Sequence, residues 1–160
     1  MIDFLIKFSP VVTAACFMAS ILVALWQIRI NRLIQQRSKA QDLWSMYLSK
    51  GIEFPLLAYP LRHVKFNFPT KSLSTGRKDE DEQQEFERYE WLLSFLLKTA
   101  REILQEFSED EFWIKTIKRN VRYHREYLAW RRGLNIADDF ISLSGPKVNE
   151  LVDLVIREHV

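Results

Sequence analysis

The sequence predicts an all-α protein hung on one N-terminal transmembrane helix, and three observations carry that prediction. Between Lys7 and Arg29 no charged residue interrupts a run dominated by Val, Ala, Ile, Leu, Phe and Met. The 160 residues include only four Gly and five Pro, with abundant Leu, Glu, Arg and Lys, a balance that favours helix. Beyond the run, apolar residues return every three or four positions, which is the helical period.

The apolar run, Phe8 to Ile28, is long enough to cross a membrane. A hydrocarbon core of roughly 30 Å needs about 20 apolar residues at 1.5 Å each. A secretory signal also begins with a charge and an apolar core, but its core is usually about 7–15 residues and ends in a small-x-small cleavage site. No such site follows here. Arg29, Arg32, Arg37 and Lys39 follow instead, against Lys7 alone on the other side, which places the C-terminal side in the cytoplasm. A buried core helix is the remaining alternative.

Within the span, Ser9, Thr13, Cys16, Ser20, Ala24, Gln27 and Asn31 follow at steps of three and four and so share one narrow stripe. Phe17, Ile21, Leu22, Leu25, Trp26 and Ile28 lie away from it. Small and hydroxyl residues allow close helix contact and interhelical hydrogen bonds, and Gln27 facing lipid would be costly. With one span per chain, the partner helix belongs to another copy or another protein. The stripe therefore reads as a pore lining or a helix-packing face, beside the simpler reading that hydroxyls are tolerated in any span.

Proceeding along the chain, Pro10 sits in a first turn, where a helix accepts it, and nothing breaks the helix before Gly51. Ile30, Leu33, Arg37, Ala40, Trp44 and Tyr47 continue the helical repeat into the cytoplasm, so Pro10 to Lys50 would reach roughly 60 Å. Residues 1–50 form the spanning helix and its continuation. Gly51, Pro55, Pro60 and Pro69 then interrupt regular structure, and 51–78 reads as an apolar connector followed by a flexible polar loop. The apolar stretch Phe54 to Phe68 is expected to be a short helix or an extended piece packed on the domain.

The remainder, 79–160, reads as a helical domain. Asp79 to Glu82 open its first helix, with a stripe through Phe86, Tyr89, Leu93, Leu96 or Leu97, Ala100, Leu104 and Phe107. Ser108 and Glu111 match a capping box, which predicts a second helix running unbroken to Arg132 and stopping at Gly133. A connector from Leu134 to Ser144 leads to Pro146, which opens a last helix to about Glu158.

Charge and motifs exclude several function classes. The formal net charge of +2 does not mark a nucleic-acid binder, and the single cysteine, Cys16, excludes an internal disulfide. There is no phosphate-binding glycine loop, no G-x-S-x-G, and no His or Cys pair at metal-ligand spacing; His63, His124 and His159 are scattered. No cofactor and no metal are expected.

One constellation carries chemistry: Arg119, Asn120 and His124, spaced R-N-x3-H. A histidine can exchange a proton with a ribose 2′-hydroxyl, and an arginine can hold a phosphate or its developing charge. Against that, His124 also continues the apolar stripe Trp113, Ile117, Val121, Leu128, where a core or interface histidine is the ordinary reading. Arg119 would lie about 140° round an unbroken helix from it, so a second copy would be needed to close a site. The basic run Lys115, Lys118, Arg119, Arg122, Arg125, Arg131, Arg132 is a solvated face or a surface for RNA or acidic lipid.

The R-N-x3-H motif near the end of an all-α domain resembles the signature of HEPN domains. Together with the N-terminal span, the layout is similar to the small membrane accessory proteins encoded beside the RNA-guided ribonuclease of type VI-B CRISPR loci. That resemblance implies a HEPN-like helical bundle and a ring-like homo-oligomer in the bacterial inner membrane, for which an octamer would fit. It further implies a pore that strengthens anti-phage defence and a functional link to the RNA-guided ribonuclease. In active HEPN members the motif from two subunits forms a composite ribonuclease site, which makes Arg119, Asn120 and His124 the candidate catalytic residues. A plain anchored helical scaffold is the third expectation.

Overall fold

The computed structural model describes residues 2–60, 65–67, 72–74, 82–134, 136 and 139–158. The described chain is all-α apart from one small ladder. Its helices are α1 (Ile2–Glu53), α2 (Pro55–Ala58), α3 (Glu82–Glu106), α4 (Glu111–Arg122), α5 (Arg125–Gly133) and α6 (Pro146–Arg157), the last preceded by a 3-10 turn at Ser142–Ser144. The ladder pairs β1 (Lys65–Asn67) with β2 (Ser72–Ser74) antiparallel, with Phe66 opposite Leu73.

Two units divide the chain, Met1–Lys39 and Ala40–Val160. The first is helix throughout its described length, and from Val12 to Lys39 every side chain is exposed except the half-buried Ile30. Within it, α1 is long and apolar enough to cross a membrane. Phe17, Leu22, Leu25 and Trp26 are among its exposed side chains. Apolar side chains left bare over that length suit a hydrocarbon surrounding rather than water.

The second unit is organised on α3, which buries one broad face and leaves the opposite one exposed. Phe86, Tyr89, Leu92, Leu93, Leu96, Leu97, Ala100, Ile103 and Leu104 are all buried. The predicted stripe on this helix is present, and Leu92 and Ile103 widen it. An amphipathic helix shows one face to a core, and a face this broad lets several elements share it. Around it, α6 packs against α3, α4 and α5, and α2 and β2 also lie on α3.

Besides the start of α1, which lies at Ile2 and so leaves Pro10 inside the helix rather than in its first turn, four boundaries differ from the sequence reading. The folded unit begins at Ala40 rather than after residue 78, because Ala40, Tyr47, Leu57 and Ala58 belong to its core. Helix α1 continues over Gly51, which is buried, and a Cβ there would meet the Ala58 Cβ at 3.4 Å. The glycine serves that close approach and does not stop the helix. In the connector, β2 stands within the expected loop Thr70 to Lys78, while α2 and β1 lie in the Phe54 to Phe68 stretch expected as a short helix or an extended piece; Lys65 and Asn67 flank Phe66 in the alternating pattern of a strand. The rest of Thr70 to Lys78, like Asp79 to Asp81, lies outside the described residues.

The fourth difference is the long second helix, which is two helices. Its start is capped by Asp110, whose Oδ1 accepts from the amides of Phe112 at 2.9 Å and Trp113 at 3.4 Å. Ser108, the expected cap, turns its hydroxyl to Glu109 instead. The break comes at Tyr123 and His124, before α5. Just upstream, Asn120 Nδ2 donates to the Thr116 carbonyl at 2.9 Å, a side-chain bond that competes with helical pairing. On the two sides of the turn Val121, His124, Tyr127 and Leu128 all enter the core. Helix α5 does end at Gly133, but its cap residue Leu134 is right-handed, so no left-handed glycine cap forms.

Candidate functional site

His124 sits at the elbow between α4 and α5 as the residue capping α5. Its amide donates to the Val121 carbonyl at 3.0 Å, and its own carbonyl accepts from Leu128 at 3.0 Å. The ring is 2% exposed. Its Nδ1 lies 3.0 Å from the Tyr89 hydroxyl on α3, while Nε2 is buried with no hydrogen-bond partner among the described residues. Tyr89 packs edge-on against Tyr127 with ring centres 5.2 Å apart, and Phe86 adds a third aromatic wall. In this apolar cage burial pushes the imidazole pKa down to about 3. At neutral pH the ring is therefore uncharged.

The motif residues are not brought together within one chain. Arg119 is exposed on α4, Asn120 is buried and bound to Thr116, and His124 faces the core. No substrate atom reaches His124 Nε2 in this arrangement. Three surface grooves are described; none of them is lined by Arg119, Asn120 or His124. As a core residue, His124 links α3 to the α4–α5 elbow through one hydrogen bond, and that is the chemistry its geometry supports.

The stripe on α1 keeps its expected spacing. Thr13, Cys16, Ser20, Ala24, Gln27 and Asn31 are all exposed on the helix, and Ser9 lies in the helix with its side chain outside the described set. The Ser20 hydroxyl donates back to the Cys16 carbonyl at 2.9 Å, so it is satisfied within its own helix. The Gln27 carboxamide has no side-chain partner among the described residues. Cys16 is a free thiol.

Sequence reasoning missed two polar networks because their members lie far apart in the chain. Glu90 accepts from the Tyr127 hydroxyl at 2.5 Å and from Arg131 at 3.2 Å, and Arg131 also reaches the buried Asp139 at 3.0 Å. Burial and the adjoining Glu90 push the Tyr127 hydroxyl pKa up, so it stays a donor. Arg132 similarly bonds Asp153 at 3.2 Å and Asn149 at 3.0 Å, tying α5 to α6. Arg131 and Arg132 thus stitch the bundle and are not part of a free basic surface. Among the described residues no His, Cys, Asp and Glu cluster suits a metal ion; His63 and His159 lie outside them.

Comparison of the chain with protein-family models, with curated proteins and with solved structures finds no match.

Proposed function

We propose that this chain is a single-pass protein of the bacterial inner membrane that assembles into a ring-like homo-oligomer. There it acts as a pore or permeability effector that enhances RNA-targeting CRISPR defence against phage. The helical unit that follows is, on this reading, a cytoplasmic HEPN-like domain, oriented by Arg29, Arg32, Arg37 and Lys39.

The observation that carries the proposal is the α1 stripe. An apolar helix of spanning length bears Gln27 and Asn31 exposed, with no side-chain partner for either among the described residues. A carboxamide at membrane depth needs a protein or water partner. Neighbouring copies of the same helix round a wet lumen supply both. The CRISPR link rests on the resemblance carried by Arg119, Asn120 and His124, and a gene for an RNA-guided ribonuclease beside this one would support it.

The competing reading is a membrane-tethered HEPN ribonuclease that uses Arg119 and His124 across two subunits. Burial of His124 disfavours it. The test measures single-stranded RNA cleavage by purified protein and dye release from liposomes containing it. Arg119→Ala is the clean probe, because Arg119 is exposed and its loss leaves the core intact. The expected result is no cleavage by wild-type protein and dye release that depends on it. Cleavage by wild type, lost by 10²-fold or more in Arg119→Ala with assembly unchanged, would establish the enzyme instead.

A further inference from the structure

The outer face of α4 carries a second, separate feature. Phe112, Lys115, Arg119 and Arg122 follow at steps of three, four and three, so they share one stripe, and all four are exposed. The opposite stripe, Trp113, Ile117 and Val121, is core. Phe112 is 66% exposed, although a phenylalanine gains most by burial. Helix α4 carries four cations against one carboxylate, Glu111, whose exposed pair with Lys115 is of a kind worth little.

Beside the stripe, Lys118 and Arg122 converge on a single carboxylate. Lys118 Nζ bonds Glu158 Oε1, and Arg122 Nη2 bonds Oε2 at 2.9 Å. Two cations closing on the two oxygens of one small anion is also the arrangement that holds a phosphate. The carboxylate is 30% exposed and follows directly on the end of α6, so solvent reaches it and an outside oxyanion can replace it.

We propose that this face of α4 docks on the anionic phosphate headgroups of the bilayer that anchors the chain, and that Glu158 occupies the Lys118–Arg122 pair while the face is undocked. The inference rests on α1 spanning a membrane. Charge complementarity and Phe112 select lipid as the occupant. An aromatic in line with cations on one helix face suits the boundary between headgroups and acyl chains. A single aromatic at the end of the stripe does not make the series of stacking platforms that tracks a nucleic-acid strand. Tethering also raises the effective concentration of headgroups around the domain.

The test uses the full chain in nanodiscs of phosphatidylcholine, with or without phosphatidylglycerol, and reads amide hydrogen exchange in α4. Exchange should slow in the anionic discs. Lys115→Gln and Arg122→Gln should each reduce that protection about fivefold, the effect of one cation at an anionic surface. Phe112→Ser should weaken it and Glu158→Gln should deepen it, with exchange in α3 unchanged as the control for folding. Failure to enter nanodiscs at all defeats the membrane reading itself. Entry with equal α4 exchange in both discs defeats the docking inference alone. Protection of α4 in neutral discs by added inorganic phosphate, or by single-stranded RNA, where phosphatidylglycerol gives none, also overturns it.

Discussion

At His124 the balance is between one hydrogen bond gained and one ring nitrogen left bare. The Tyr89 hydroxyl serves Nδ1, but Nε2 is buried without a partner among the described residues. Leaving a buried polar atom unsatisfied costs about 1–3 kcal/mol, so Tyr89→Phe, which strips the other nitrogen too, should destabilise by a similar amount. The same burial makes stability pH-dependent. The folded imidazole titrates at about 3 and an ordinary one at 6.5. Between those values the unfolded chain binds a proton that the folded chain refuses. Stability from this residue is therefore complete above pH 6.5 and falls as the pH drops, approaching about 1.4 kcal/mol per unit, until pH 3. Urea unfolding of the detergent-solubilised chain at pH 7.5, 6 and 5 should show that slope, and His124→Gln should flatten it. An unchanged slope in the variant would mean that other groups carry the acid sensitivity. The apolar stripe through Ile117 and Val121 made the burial of His124 legible in advance. Its partner Tyr89, 35 residues upstream, was not, because no local pattern encodes a contact between separate helices.

The two helices α4 and α5 show what periodicity reveals and what it leaves out. Trp113, Ile117, Val121 and Leu128 keep the helical repeat, and each is buried as the repeat requires. The elbow at Tyr123 and His124 has no glycine or proline to announce it; there His124 packs on Tyr89, which also meets Tyr127. Local signals also compete within a few residues. Ser108 with Glu111 matches a capping box, yet Asp110 is the residue whose side chain takes the free amides of the first turn. Asp110→Ala should accordingly cost about 1 kcal/mol, and Ser108→Ala only a few tenths. Thermal melting of the two variants separates them, and equal losses would return the cap to Ser108. The last helix was legible at both ends, because Pro146 opens it directly after Gly145, whose φ of +92° suits glycine. The β1–β2 ladder was hidden for the opposite reason: three residues a side is too short for its period to stand out from a loop.

For the whole molecule, the question is what surrounds the helix that precedes Ala40. Leu22, Leu25, Trp26 and their neighbours are exposed, and on the proposed reading a bilayer would cover them on all sides equally. Gln27 does not fit that medium, since each unpaired amide atom in hydrocarbon costs several kcal/mol. Ser20 is less exacting, because its hydroxyl already bonds the Cys16 carbonyl. On the proposed reading, a second copy facing the same stripe would relieve Gln27 and let the small residues at Cys16, Ser20 and Ala24 close in. Replacing Ser20 and Gln27 together by Leu should therefore change the mass of the detergent-extracted particle or abolish its conductance, mainly through Gln27. Exchanging Leu22 and Leu25 for other apolar residues should leave both unchanged, because lipid does not distinguish them. The single change Gln27→Leu then separates the two contributions. If it alone reproduces the double variant, the carboxamide holds the copies together or wets the lumen; if Ser20→Leu alone does so, close packing is the cause. Identical behaviour of the polar and apolar pairs would mean that the stripe touches nothing, and the chain would then be a monomeric anchor.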